Sequence, residues 1–259
     1  MSGTAMTTAG ITIAVLMIGT WVVSVAVKNA SIVDVVWGLG FVLVAWAVRL
    51  RVDGLSARQN LLVLMTSVWG LRLAGYLFWR NHGKGEDFRY KAMRKHWGAR
   101  FPWVSLITVF GLQGVLMFVV SLPVQLGQGP TSPALGWLGG VGVVVWAVGL
   151  FFEVVGDAQL ARFKSNPANS GQVMSSGLWK FTRHPNYFGD ACVWWGIALV
   201  AAETTAGRWG LIGALVMTVL LRRVSGVVLL EKTLGKRKPG YAEYVARTSP
   251  FIPRPPKKA

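Results

Sequence analysis

The stretch Gly177-Leu-Trp-Lys-Phe-Thr-Arg183-His184-Pro185-Asn186-Tyr187-Phe-Gly189-Asp190, followed by Trp194-Trp195-Gly196, gathers cationic, amide, carboxyl and aromatic groups into one short run. Pro185 suits the first turn of a helix, where its missing N–H is no loss. Arg183 and His184 then fall just before a helix N-terminus, where the dipole and the free N–H groups favour an anion. Asn186 and Asp190 lie one turn apart on one face, and Gly189 lets a partner approach closely. Such a set suits a charged, polyhydroxylated cofactor. The plain alternative is an interfacial cap on a membrane helix.

Further ionisable residues sit inside apolar runs, where each costs several kcal/mol and is a candidate for function. Asp34, Trp37 and Gly38 fall at i, i+3 and i+4, and Asp34 either serves chemistry or caps its helix and pairs with Lys28. Arg72 and Tyr76 are four apart, with Trp69 one turn earlier. An arginine so placed needs an anion: Asp34, a bound phosphate, or a polarised carbonyl. Glu153 and Asp157 are again four apart, and Lys164 continues their face. They read either as helix-end charges reaching water or as acceptors for ribose hydroxyls and an adenine amino group. Glu231, then Tyr241-Ala-Glu-Tyr244-Val-Ala-Arg247, suggests a short helix lying on the membrane, with a cationic anchor as the alternative. The run His82-Gly-Lys84-Gly-Glu86-Asp87-Phe-Arg89-Tyr90 mixes both signs around two glycines and could fold as a lid. Three histidines and the lone Cys192 have no metal-ligand spacing, and neither a Gly-x-Ser-x-Gly elbow nor a GxGxxG behind a strand occurs.

The elements that must position these groups are membrane helices. Of 259 residues, 53% are hydrophobic and only 14% charged, against about 25% charged in soluble domains. Mean hydropathy is +0.47. The net charge of +17 would suit a nucleic-acid protein, but its charges flank long apolar runs, which excludes that class. Seven spans are predicted, near residues 8–27, 31–48, 57–79, 103–126, 135–155, 187–202 and 209–221. The first is too long for a cleaved signal peptide and has no basic leader. With the N-terminus outside, the inner segments and tail hold 22 Lys and Arg, and the outer loops hold Arg49, Arg51, Arg58 and Arg208. That asymmetry predicts an all-α membrane protein with an outer N-terminus and a cytoplasmic C-terminus.

On the run from Gly177 to Asp190, and on a tail reading Tyr241…Tyr244…Pro250-Phe-Ile, the chain resembles the steroid 5α-reductase family. More narrowly it resembles the bacterial branch carrying that family's C-terminal domain. The likeness covers about residues 150–252; Trp37-Gly38 and the His82–Tyr90 run resemble that branch too. It implies a seven-helix reductase that uses NADPH to saturate a carbon–carbon double bond conjugated to a ketone. It also implies kinship with sterol C=C reductases and isoprenylcysteine methyltransferases.

By that resemblance Asn186 and Asp190 match the nicotinamide end, Asp157 a cofactor-binding aspartate, and Arg72 with Tyr76 a pair in the third helix. Lys164 stands where the animal enzymes carry arginine. Those enzymes hold the steroid ketone with a glutamate in span two, where this chain offers only Asp34, and its tail lacks their histidines. The expected catalytic residues are therefore Asp34 and Tyr76, with Trp37 and Trp69 on the substrate. Arg72, Lys164, Glu153, Arg80, Arg183, His184, Tyr187, Glu231, Tyr241 and Tyr244 join Asn186, Asp190 and Asp157 in the expected NADPH-binding set. One transmembrane domain, 1–259, is expected, with 1–130 lining the substrate and 150–252 binding the cofactor. The implied partners are a steroid or lipid enone and membrane lipids, with no nucleic acid and no metal. The implied place is a bacterial inner membrane, with the cofactor site facing the cytoplasm. Two rivals stand beside this reading: a methyltransferase using S-adenosylmethionine, and a lipid-binding protein with no activity.

Overall fold

The computed structural model describes residues 2–52, 56–129, 134–224, 227 and 239–257. Among them there is no strand, only an isolated parallel bridge between Thr182 and Ser249. The helices are α1 (Ser2–Ala26), α2 (Ile32–Arg49), α3 (Ala57–Asn81), α4 (Phe88–Trp97), α5 (Phe101–Ser105) and α6 (Leu112–Val120). They continue with α7 (Leu122–Gly127), α8 (Trp137–Ser165), α9 (Pro185–Ala201), α10 (Leu211–Val219) and α11 (Tyr241–Arg247). Among the described residues five helical stretches are long and apolar enough to cross a membrane: Gly3–Ala26, Ile32–Arg49, Ala57–Asn81, Phe88–Val120 and Trp137–Ser165. In the predicted sixth and seventh spans, α9 runs for 17 residues and α10 for 9 before a π-helical turn, Leu220–Val224.

The boundaries follow local chemistry. Asp87 caps α4 by accepting from the Arg89 N–H at 3.0 Å, and Gly98 at φ +52° ends it. Residues 88–97, read from sequence as part of a polar connection, thus form a helix of their own. Ser121 interrupts the predicted fourth span, and Pro123 opens α7 where a missing N–H does no harm. Helix α8 extends ten residues beyond its predicted end, so Glu153, Asp157 and Lys164 all lie on one helix.

The chain divides into two compact units: Met1–Gly140 with Ile197–Gly213, and Val141–Gly196 with Ala214–Ala259. In the first, α2 and α3 meet backbone to backbone. A Cβ on Gly38 would stand 2.5 Å from the Gly70 carbonyl oxygen, and one on Gly70 2.6 Å from that of Gly38. Phe41, Val44, Leu62, Met65 and Trp69 fill the buried space beside them. An ion pair closes one end of this unit. Arg58 Nη2 lies 2.8 Å from Glu203 Oε2, the arginine side chain being fully buried, and also donates to the Ala134 carbonyl at 3.2 Å. Glu203 Oε1 accepts from the Gly139 N–H at 2.7 Å.

In the second unit, Gly142, Gly149 and Gly156 recur every seven residues along α8, and Gly189 and Gly196 every seven along α9. That repeat keeps one seam of small residues facing a partner. A Cβ on Gly189 would meet the Gly149 oxygen at 2.5 Å and the Glu153 nitrogen at 2.7 Å, and one on Gly196 the Gly142 oxygen at 2.6 Å. The two helices therefore touch through their main chains, and polar side chains beside the seam are pressed together.

Candidate functional site

Glu153 and Asp157 project from α8 beside that seam and are almost closed off, at 2% and 6% exposure. Asn186, in the first turn of α9, donates from Nδ2 to Asp157 Oδ1 at 3.1 Å, and its Oδ1 accepts from the Tyr187 N–H at 3.1 Å. Asp190 follows one turn later, half-buried. Buried His184 stacks on Tyr187, ring centroids 5.5 Å apart and planes 7° from parallel. Carboxylates buried this deeply are tolerated where donors meet them. Two carboxylates and an amide at one helix pair can accept from hydroxyls and amides and offer one N–H in return.

Around this core the loop before α9 and the tail hold one another. Arg183 Nη1 donates to the Val245 and Thr248 carbonyls at 2.9 and 3.0 Å, and the Arg183 N–H to that of Ser249 at 2.9 Å. Tyr244 donates to the Trp179 carbonyl at 2.6 Å, and Trp179 Nε1 to that of Gly156 at 3.1 Å. Thr182 Oγ1 donates to the Phe251 carbonyl at 2.8 Å. Tyr241 is buried against Tyr244. A cavity of about 420 Å³ opens beside Tyr244, Lys180 and Arg247. Arg183, read from sequence as an anion-gripping residue, thus directs Nη1 to two carbonyls of the α11 end. Lys164 is exposed in the last turn of α8. Glu231 lies outside the described residues.

A second cluster belongs to the first unit. Asp34 Oδ1 accepts from the Tyr90 hydroxyl at 2.8 Å and Oδ2 from Arg89 Nη2 at 2.9 Å. The partner of Asp34 is thus Arg89, where the sequence offered Lys28 or Arg72. Gln113 Nε2 lies 3.5 Å from the Tyr90 hydroxyl. Arg72 and Arg80 both approach the Tyr76 ring, at 5.5 and 5.8 Å from its centroid. Trp37 stacks edge-on to Phe41 at 5.0 Å, and Phe41 to buried Trp69 at 5.6 Å, giving an apolar aromatic wall.

The mixed-charge connection is fastened to the α1–α2 turn. Asp87 N–H donates to Ser31 Oγ at 2.6 Å, and Glu86 Oε1 accepts from the Ala30 N–H at 2.8 Å and from Arg94 at 2.8 Å. Burial pushes the Glu86 carboxyl upward, but the Arg94 guanidinium and the Ala30 N–H outweigh it and hold it below the usual carboxylate range. Burial likewise opposes the charge on Asp87, and the bonds from Arg89 win. Arg89 and Tyr90 were missed as site residues because no spacing rule links them to Asp34, which lies 55 and 56 residues away.

The profile of a family described as protein of unknown function (DUF1295) matches residues 20–248. A stretch of 66 residues is 38% identical to a protein of Ustilaginoidea virens named probable O-methyltransferase ustE. That match covers 26% of this chain and 23% of the fungal protein, so the chain spans about a quarter of that relative's length. No solved structure matches the chain. With a profile that runs through both units, over four of the long apolar helices and the end of the first, the chain belongs to the DUF1295 family, a steroid 5α-reductase-like family of membrane proteins.

Proposed function

We propose that the protein is a membrane-embedded reductase that binds NADPH and saturates a carbon–carbon double bond conjugated to a ketone in a steroid-like or other lipid enone. The observation that carries this reading is buried Glu153 and Asp157 with half-buried Asn186, pressed together where Gly189 leaves α9 without a side chain. The donor set fits the cofactor: buried carboxylates accept from ribose hydroxyls, the Asn186 amide and Asp190 suit a carboxamide, and Tyr187 and His184 offer flat faces. Lys164, Lys180 and Arg247 supply positive charge for phosphates, with Tyr241, Tyr244 and Glu231 nearby in sequence. When bound, NADPH supplies the hydride that the β-carbon accepts. Reduction of an enone throws negative charge onto the ketone oxygen, where a positioned O–H donor lowers the barrier. Asp34 accepts from both Arg89 and the Tyr90 hydroxyl, so Tyr90, whose proton Asp34 orients, joins Asp34 and Tyr76 as a candidate donor. Trp37 and Trp69 belong to the apolar wall that such a substrate needs.

The rest of the reading concerns the membrane. Seven spans, with α9 and α10 as the short sixth and seventh, put the N-terminus outside and place the NADPH site on the cytoplasmic face of a bacterial inner membrane. The excess of Lys and Arg in alternate segments supports this. A reporter active only in the cytoplasm, fused after Ala259, is expected to be active. Silence there, with activity at the N-terminus, would reverse the orientation.

The fungal relative's name favours one rival, a methyltransferase using S-adenosylmethionine, with the same α8–α9 pair as its nucleoside site. Phosphate demand separates the two, because NADPH carries an additional phosphate and each charge-assisted bond is worth about 1.5–3 kcal/mol. Equilibrium titration of the detergent-solubilised chain is expected to show NADPH binding about tenfold or more tighter than NADH. Equal affinity for the two refutes the assignment, and selective binding of S-adenosylmethionine hands the site to the rival.

A further inference from the structure

Between α2 and α3, away from every residue assigned above, lies a hollow of about 660 Å³. That is within the range of small-molecule pockets. Its walls are mainly apolar, formed by Trp46, Leu50, Val63 and Leu64. Leu50 and Leu64 are 79% and 59% exposed, too open for a site sealed inside protein. Among the described residues that line it, the one charged group is Arg49. Two bonds between the helices fix its frame: Trp46 Nε1 donates to Ser67 Oγ at 3.1 Å, and Arg49 Nε to Asn60 Oδ1 at 3.3 Å. Arg49 Nη1 also donates to the Val52 carbonyl at 3.2 Å. Asn60 and Val52 orient the guanidinium, but both acceptors are neutral and leave its charge in place. Arg51 adds a second positive charge in the α2–α3 connection, against Asp53, which lies outside the described residues.

An oriented cation at the end of an apolar helix, above an open apolar wall, matches one class of molecule that surrounds every membrane protein. We propose that this hollow binds an anionic phospholipid, with the phosphate at Arg49 and one acyl chain along Trp46, Val63 and Leu64. The tryptophan fits the same level: its ring faces the chain while its N–H is satisfied by Ser67, as at membrane–water interfaces. Basic pockets between membrane helices bind lipid headgroups in this way. A free phosphate would meet a single guanidinium and otherwise apolar walls. A zwitterionic lipid brings its own cation to the phosphate and answers the guanidinium less fully. The assignment is independent of the reductase reading.

The test is native mass spectrometry of the full chain in detergent, titrated with dioleoylphosphatidylglycerol. One tightly retained lipid per chain is expected, with retention about tenfold weaker for Arg49→Gln, which removes the charge-assisted bond. Leu64→Trp, at an exposed position where folding is little at risk, is expected to block the hollow and lower retention as well. Dioleoylphosphatidylcholine is expected to bind more weakly than the anionic lipid, and inorganic phosphate to displace neither. Wild-type retention in both variants overturns the proposal. So does equal binding of the two lipids, or displacement by inorganic phosphate, which would mark a site for the free ion.

Discussion

Asn186→Ala and Asp190→Ala are each expected to leave a folded protein in detergent that binds NADPH about 1–3 kcal/mol more weakly, the cost of a buried partner left unsatisfied. Asn186 bonds Asp157 directly, so Asn186→Ala and Asp157→Ala are expected to be less than additive, as for two members of one network. Asp34→Asn is expected to behave differently. It abolishes the ion pair with Arg89 and leaves the Tyr90 hydroxyl only a neutral, weaker amide acceptor, so turnover should collapse while cofactor affinity stays near normal. One binding titration and one turnover assay on each variant make the comparison. Normal affinity and turnover in both α9 variants would place the cofactor elsewhere. A loss of affinity in Asp34→Asn equal to that of Asn186→Ala would undo the division of labour between the two clusters.

The largest effect on stability is expected at Arg58. Its side chain is fully buried and paired with Glu203, itself only 9% exposed. Arg58→Ala would leave a buried carboxylate with only the N–H groups of the Gly136–Gly139 segment, and breaking such a pair costs about 3–5 kcal/mol. Arg58→Leu combined with Glu203→Leu should recover much of that loss, because apolar residues can replace a buried pair at little cost. Acid should weaken the same contact. Burial opposes the charge on Glu203, but the Gly139 and Gly136 N–H groups and the Arg58 guanidinium hold its carboxyl below its usual value of 4.5. A group depressed in this way stabilises the fold fully above its unfolded value and loses that contribution as pH falls through its folded value. The drop in unfolding midpoint below pH 4.5 should therefore be smaller in the double-leucine variant than in the wild type. An identical acid profile in both would remove Glu203 from the account.

What the sequence discloses here depends on how far apart the partners lie. The five long helices are visible because apolar length is a local property, and the Pro185 start of α9 because a proline in a first turn is one too. The pairing of Asn186 with Asp157 is half legible. Each residue sits near a small-residue seam with a period of seven, and two such seams have one natural way to meet. Asp34 shows the opposite case. Its charge stands out in an apolar run, yet its partners Arg89 and Tyr90 follow from tertiary packing alone, and the sequence offered Lys28 and Arg72 instead. Arg183 shows a related case. A cation ahead of a helix N-terminus reads as an anion trap, but the α11 carbonyls reach it first, and they come from 62 and 65 residues further on.

That last contact has a consequence for how the protein is made. Ahead of α9, the Thr182 hydroxyl waits for the carbonyl of Phe251, 69 residues later. Phe181 likewise waits for the N–H of Arg254. Helices α8 and α9 can enter the bilayer and zip along their glycines as they leave the ribosome, but the segment between them stays open until residues 249–254 have emerged. During synthesis this part of the chain must therefore pass through a stage that is inserted yet unfinished. A stalled or prematurely terminated chain would be left there with Thr182 and Arg183 lacking their tail carbonyls.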